Sequence, residues 1–358
     1  SKLILIIIFT FNSSAVAEEG KPVFKIGFAI PLSGSLSFIG EDIREGVELA
    51  TLKNDSANIT ILPIYEDSEY NNKTTASIAN KLISIDKVDA IVSLWDTAEI
   101  VAPLAERADI PHIAIRWNPH VAEKYNKTFT IESTYKSYVQ KQLEMLKKIG
   151  AKKISVIHQS SEGWNMAAEQ LKKESSNYNI EITQTQQFTS GTTDFRTLVT
   201  KALSKPHDYI VLHTNVPDTA QIVKRLKELS KNSKFTGYFE GDEAINLYES
   251  MPYASQFEAS EWFKELFQKR YNRQFRTRAP QGYDIISILY KIHEGKDKLL
   301  NTAEIVLSLK NLNSFSGASG TLSARGGKTF ANDCVVKVFK DGKVQKLELN
   351  ELSSFKIN

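Results

Sequence analysis

Cysteine is nearly absent from these 358 residues: Cys334 stands alone, so no internal disulfide can form even in an oxidising compartment. It falls in Cys334-Val335-Val336-Lys337-Val338-Phe339, where a thiol serves as a small buried hydrophobe. Long apolar runs are lacking too: past the first residues, nothing approaches the roughly 18 apolar residues of a membrane-spanning helix. Like charges form no block of five or six, and 45 Lys and Arg against 42 Asp and Glu leave a formal charge of +3. That balance predicts no nucleic-acid footprint. There is no Gly-x-Gly-x-x-Gly after the first strand, no phosphate loop, no paired-histidine zinc motif and no Gly-x-Ser-x-Gly elbow. The histidines are scattered, and His158, which ends a strand, reads as a hydrogen-bonded neighbour, not a base. Neither catalysis nor a cofactor nor a metal is expected.

The first seventeen residues read as a leader, not as part of a fold. Lys2 precedes an apolar run from Leu3 to Phe11, and Ala15-Val16-Ala17 before Glu18 supplies the small-x-small pattern of a signal peptidase site. Residues 1–17 are therefore expected to be a cleaved signal peptide, leaving a periplasmic chain that begins at Glu18. No cysteine near that site offers a lipid anchor.

The remaining hydrophobic pattern alternates between short β-rich runs and helical periods. Phe24 to Ile30 alternates as a strand, Pro31-Leu32-Ser33-Gly34 breaks it, and Ile43, Val47 and Ala50 share one helical face. Strands at 59–65, 88–92 and 112–115 alternate with helices at 73–83 and 98–108. After a helix over 135–149 that stops at Gly150, the rhythm restarts: strands at 153–157, 209–212 and 235–238, helices at 163–173 and 217–229. Helices near 262–271 and 283–293 follow. Such alternation means parallel sheets covered on both faces, here as two α/β units in series. Ligands of such sheets bind beyond the strand carboxyl ends. Those positions are 31–35, 93–97, 116–118, 159–163, Asn215 and 240–242, rich in hydroxyls, amides, charges and tryptophan.

Several of these runs resemble one family, the type I periplasmic binding proteins of branched-chain amino acid importers. The resemblance rests on Phe24 to Gly34 followed by Gly40-Glu41-Asp42, and on Ala79 to Ile83 before Val88 to Val92. It is supported by Thr193-Asp194-Phe195, Gly282-Tyr283-Asp284, Phe315 to Gly320 and Asp341-Gly342-Lys343. It spans nearly all of the chain after the leader.

The resemblance implies two Rossmann-like lobes joined by three crossovers, residues 21–132 plus 255–321 in one lobe and 133–254 plus 322–358 in the other. It implies a monomer that closes on a small-molecule ligand and delivers it to an ABC transporter permease. A sensor or scaffold of the same fold, acting through a protein partner, is the alternative. Carried over by position, the ligand residues are Trp95, Asp96, Thr97, Arg116 and Trp117 in the first lobe, Trp164, Asn215 and Asp242 in the second, and Tyr283. Amino-acid binders of this family present small hydroxyl residues where Asp96, Arg116 and Trp117 stand, Ile39 replaces an aromatic, and about ten residues are missing before Trp262. A plain leucine-type ligand is therefore not expected. Arg116 offers a planar fork for a carboxylate, and Trp95, Trp117 and Trp164 offer faces for a ring, a stem or a cation. An aromatic or bulky carboxylic acid is the first expectation and an amino acid the second. The competing structural roles are lobe packing for the tryptophans and an Asp96–Arg116 ion pair.

Overall fold

The computed structural model describes residues 20–54, 57–241, 244–325 and 327–353; the expected signal peptide, with its Ala15-Val16-Ala17, and Asp242 lie outside them. The chain begins with β1 (Val23–Ile30), α1 (Ser37–Lys53), β2 (Thr60–Asp67), α2 (Asn72–Ser84), β3 (Ala90–Leu94), α3 (Ala98–Ala108), β4 (His112–Ile115), α4 (His120–Lys124) and β5 (Thr128–Ile131). It then passes into α5 (Tyr135–Lys148), β6 (Lys153–Gln159), α6 (Glu162–Glu174), β7 (Glu181–Phe188), α7 (Arg196–Leu203), β8 (Tyr209–His213), α8 (Asp218–Leu229), β9 (Phe235–Gly237) and β10 (Pro252–Ser255). It returns through α9 (Glu261–Tyr271), α10 (Ala279–Ile292), α11 (Thr302–Asn311), β11 (Ser314–Gly317), β12 (Gly320–Arg325) and β13 (Thr329–Ala331), and ends with β14 (Val335–Lys340) and β15 (Lys343–Leu347).

One lobe is built on an eight-stranded sheet in the order β11-β12-β13-β5-β4-β3-β1-β2, parallel from β13 to β2. Both faces of β1 are covered, as a parallel sheet requires. Phe24, Ile26, Phe28 and Ile30 enter the large core with α1 and α10, while Ala29 meets Leu82, Val88 and Val101 on the other face. The other lobe holds the parallel sheet β7-β6-β8-β9 and the small antiparallel sheet β10-β14-β15. Asp341 and Gly342 turn β14 into β15 with φ of 52° and 76°, the left-handed pair that a tight hairpin needs. Among the described residues no helix is long and apolar enough to cross a membrane.

The chain crosses between lobes after β5, after β10 and after β13. The Ser133 hydroxyl ties these strands of connection together, lying 2.6 Å from the Gln256 carbonyl oxygen and 2.5 Å from that of Asn332. The third crossing differs from expectation. Residues 320–331 belong to the first sheet, because β12 pairs with β11 and β13, and β13 runs beside β5. The boundary expected at 321/322 therefore lies near Asn332.

The motifs behind the resemblance turn out to be packing devices. A Cβ on Gly46 would sit 1.9 Å from the Ala279 carbonyl oxygen, and one on Gly282 2.3 Å from that of Ile43, so α1 and α10 cross with their backbones in contact. Asp42 accepts hydrogen bonds from the backbone N–H groups of Arg276 and Thr277, fixing the approach to α10. Asp284 accepts from the Ala318 N–H (2.5 Å), the Ser319 N–H (2.9 Å) and the Ser319 hydroxyl, which joins the Gly282-Tyr283-Asp284 motif to the Phe315 to Gly320 motif. Burial outweighs those bonds and pushes the Asp284 carboxyl up from 3.8 to about 7. The folded chain thus keeps this proton at pH values where the unfolded chain has lost it. Stability from this group falls as pH rises from about 4 to about 7, by up to about 1.4 kcal/mol per pH unit. In urea titrations the Asp284→Asn variant should lack that component of the slope; equal slopes would mean Asp284 is already ionised in the fold.

Candidate functional site between the lobes

The carboxyl ends of the two parallel sheets meet across one gap, and nearly every strand delivers a residue into it. Tyr70 follows β2, Trp95 and Asp96 follow β3, Trp117 follows β4 and Glu132 follows β5. From the other lobe come Gln159 to Ser161, Ser190 after β7, Asn215 after β8 and Tyr238 after β9. Gln256, Arg278 at the head of α10, and Gly163 and Trp164 of α6 complete a cavity of about 160 Å³. An apolar cavity of roughly 150 Å³ takes up a benzene ring, so the space suits a ligand of amino-acid size.

Aromatic rings form much of the wall. Trp95 meets Tyr70 edge-on at 5.9 Å, and Trp117 meets Trp164 edge-on at 4.9 Å. Trp164 is buried and stacks on His213 at 5.4 Å, and its indole N–H donates to Asn215 Oδ1 at 2.8 Å. Burial first, then neighbouring His158, lowers the His213 pKa to about 3, so this ring is neutral beneath Trp164. Trp117 belongs to the first lobe by sequence but packs against the core of the second, with Tyr138 at 5.6 Å. Its carbonyl accepts the Tyr135 N–H at 3.1 Å. Trp117 and Trp164 therefore serve lobe packing and wall together.

Charge is distributed unevenly. Arg278, 1% exposed, is the one cation on the cavity wall among the described residues, and it is engaged by Glu132, by Gln256 Oε1 at 2.6 Å and by Thr277 Oγ1 at 2.8 Å. Burial raises the Glu132 pKa while Arg278 opposes the rise. Asp96 has no hydrogen-bond donor on its carboxylate among the described residues. Burial, then the nearby Glu162, pushes its pKa up from 3.8 to about 6, against the pull of Arg116 and with a further push from Glu99.

Arg116 departs from the expected role. It is 2% exposed and lies behind the wall, donating to Glu99 Oε1 at 3.1 Å and to Glu162 Oε1 at 3.0 Å. Glu162 belongs to α6 of the opposite lobe and also accepts from Asn118 at 2.8 Å. The fork that was expected to hold a carboxylate of a ligand thus holds two carboxylates of the protein, one of them across the gap. The competing Asp96–Arg116 ion pair does not form either: among the described residues Arg116 pairs with Glu99 and Glu162. Thr97 is buried and donates to the Leu94 carbonyl at 2.6 Å, which starts the turn into α3 and takes it off the wall. Tyr283 lies in α10 beside Trp262 at 5.4 Å, lining a separate pocket of about 460 Å³ with Lys53. Trp95, Asp96, Trp117, Trp164 and Asn215 are brought together on the wall. Gln159 falls in the strand-end stretch 159–163 read from sequence; Tyr70, Glu132, Ser190, Tyr238, Gln256 and Arg278 were not singled out there, although most stand one to three residues past a strand end.

A family model described as periplasmic binding protein matches residues 23–343. No curated protein sequence matches this chain. Among solved structures, the substrate-binding protein LivJ of a branched-chain amino acid transporter from Streptococcus pneumoniae, in complex with isoleucine, is 22% identical. The likeness covers 90% of this chain and 98% of that one, with a TM-score of 0.80. Leucine-binding protein LivK from Thermotoga maritima is 20% identical over 91% and 98%, with a TM-score of 0.83. A solute-binding protein of an ABC transporter from Rhodopseudomonas palustris, in complex with 3,4-dihydroxybenzoic acid, is 18% identical over 91% and 96%, with a TM-score of 0.82. At these identities the likeness is one of fold, whereas the family model spans most of the chain: the chain belongs to the periplasmic binding protein family.

Proposed function

We propose that this chain is the periplasmic solute-binding component of an ABC importer, capturing one small ligand between its lobes and passing it on chemically unchanged. The observation that carries this reading is the cavity itself, whose wall is assembled from the strand ends of both lobes. A ligand there touches both lobes at once, and so favours the closed arrangement over an open one. Five aromatic rings and a volume near 160 Å³ suit an amino acid or a ring-bearing acid. The relatives of known structure bind ligands of that size, isoleucine and 3,4-dihydroxybenzoic acid. A carboxylate on such a ligand would meet the head of α6, where the Ser160 and Ser161 side chains and the first backbone N–H groups of the helix stand, with Arg278 also on the wall.

Thermal unfolding against a panel of amino acids, aromatic acids and amines tests the reading. A true ligand at 100 times its Kd should add about 2.7 kcal/mol of stability. Small-angle scattering should show a smaller radius of gyration on binding. Stabilisation without contraction would favour a sensor or scaffold that does not close.

A further inference from the structure

The charges around the cavity do not balance, and the imbalance has a consequence for what can be seated there. Arg116 is shared by Glu99 and Glu162, and Arg278 is taken by Glu132. Among the described residues, the Asp96 carboxylate on the cavity wall has no hydrogen bond or ion pair of its own. It shares the cavity wall with Trp95, Tyr70, Trp117 and Trp164, the kind of surroundings that attract a cation both through ring faces and through the carboxylate. A plain acid would add a further negative charge to a pocket already in surplus, at a position where burial has made a lone carboxylate costly.

From this juxtaposition we infer that the ligand carries an ammonium-type cation and seats it against Asp96, within the ring set of Trp95 and Tyr70. The inference rests on the solute-capture reading above and narrows it: amines and amino-bearing acids are taken, and simple aromatic monoacids are not. Asp96 is the specificity-determining residue, and Arg116 positions the lobes around it.

The pH dependence of binding has opposite signs for the two ligand types. A cation binds the ionised Asp96, so its affinity should fall as pH drops below about 6, the value to which burial raises this carboxyl. An acid would bind the protonated form and gain affinity over the same range. The charged and titratable groups facing Asp96 are Tyr70 after β2, Glu99 of α3, Arg116 after β4 and Glu162 of α6. Glu132 and Arg278 share the cavity wall with it.

The probes are benzylamine and benzoate, which share a ring and differ in charge, with phenylalanine as the zwitterion. Binding is read by tryptophan fluorescence at pH 7 and pH 5 on the whole chain. Benzylamine or phenylalanine should bind, more weakly at pH 5, and benzoate should not. Asp96→Asn should weaken the cationic probes at least about tenfold and abolish their pH dependence, with a melting temperature equal to or above that of the wild type without ligand. Benzoate binding better than benzylamine, or Asp96→Asn binding the amine as tightly as the wild type, would overturn the cation site and leave solute capture standing. Failure of all three probes at millimolar concentration, with no contraction in scattering across the wider panel, would overturn both.

Discussion

Glu132→Ala should lower the free energy of unfolding by about 3–5 kcal/mol, the cost of leaving a buried charge without its partner. Glu132 follows β5 at the first crossing and is 2% exposed; Arg278 approaches from the head of α10 and is 1% exposed. Each guanidinium nitrogen has a contact, Nε with Glu132, Nη2 with Gln256 at the second crossing and Nη1 with Thr277. Burial alone would lower the arginine pKa, but Glu132 more than offsets it and the guanidinium stays charged. Without Glu132 that nearly buried charge is left with the neutral acceptors Gln256 and Thr277. Glu132→Gln should be milder, since the amide oxygen still accepts a hydrogen bond. The double variant Glu132→Leu with Arg278→Met should recover most of the loss, because apolar residues of similar volume often replace a buried ion pair at no net cost. Urea unfolding of the wild type, Glu132→Leu, Arg278→Met and the double variant closes a double-mutant cycle. A single-variant loss under about 1 kcal/mol would mean that the pair is solvated or already neutral.

The strands and helices that position this pair were legible to different degrees. β1, β3, β4, β6 and β8 are buried, β-rich runs between turn residues, and the period of the chain announces them. β7, Glu-Ile-Thr-Gln-Thr-Gln-Gln-Phe, is an edge strand of mostly polar residues, held by pairing with β6 and not by an apolar pattern. β5 and β10 are only four residues long. With those strands unread, the wall residues just beyond them, Glu132, Ser190 and Gln256, had no address. Arg278 was missed for another reason: it enters from a helix head whose place against the cavity is fixed by Asp42 and by the crossing of α1 on α10, contacts that join residues over 230 positions apart. Arg116 illustrates the limit most clearly. Its position at the end of β4 is a ligand-binding position by sequence, but Glu162, 46 residues on and in the other lobe, takes half of its fork. No local pattern in either segment signals that pairing.

Closure of the lobes gives the last expectation, that Gly163→Ala weakens ligand binding by roughly 5- to 150-fold while leaving the unliganded protein at least as stable. Gly163 is the second residue of α6, and a Cβ there would lie 2.7 Å from Trp117 Nε1 of the other lobe. The indole has little room to yield, because Tyr138 and Trp164 flank it at 5.6 and 4.9 Å and its backbone is held by the Tyr135 N–H. Forcing one extra carbon into such a contact costs about 1–3 kcal/mol, which converts to the affinity loss given. Provided that opening carries Trp117, a first-lobe residue by sequence, away from α6, the cost falls only on the closed arrangement. In an open arrangement the added methyl faces solvent, and alanine in place of glycine strengthens the helix by about 0.5–1 kcal/mol. A larger side chain, as in Gly163→Val, should hold the lobes apart at ligand concentrations that saturate the wild type, and scattering should report the open radius of gyration. If Gly163→Val closes on ligand with wild-type affinity, then Trp117 does not meet α6 in the bound state, and the contact that now seals one side of the cavity is not part of capture.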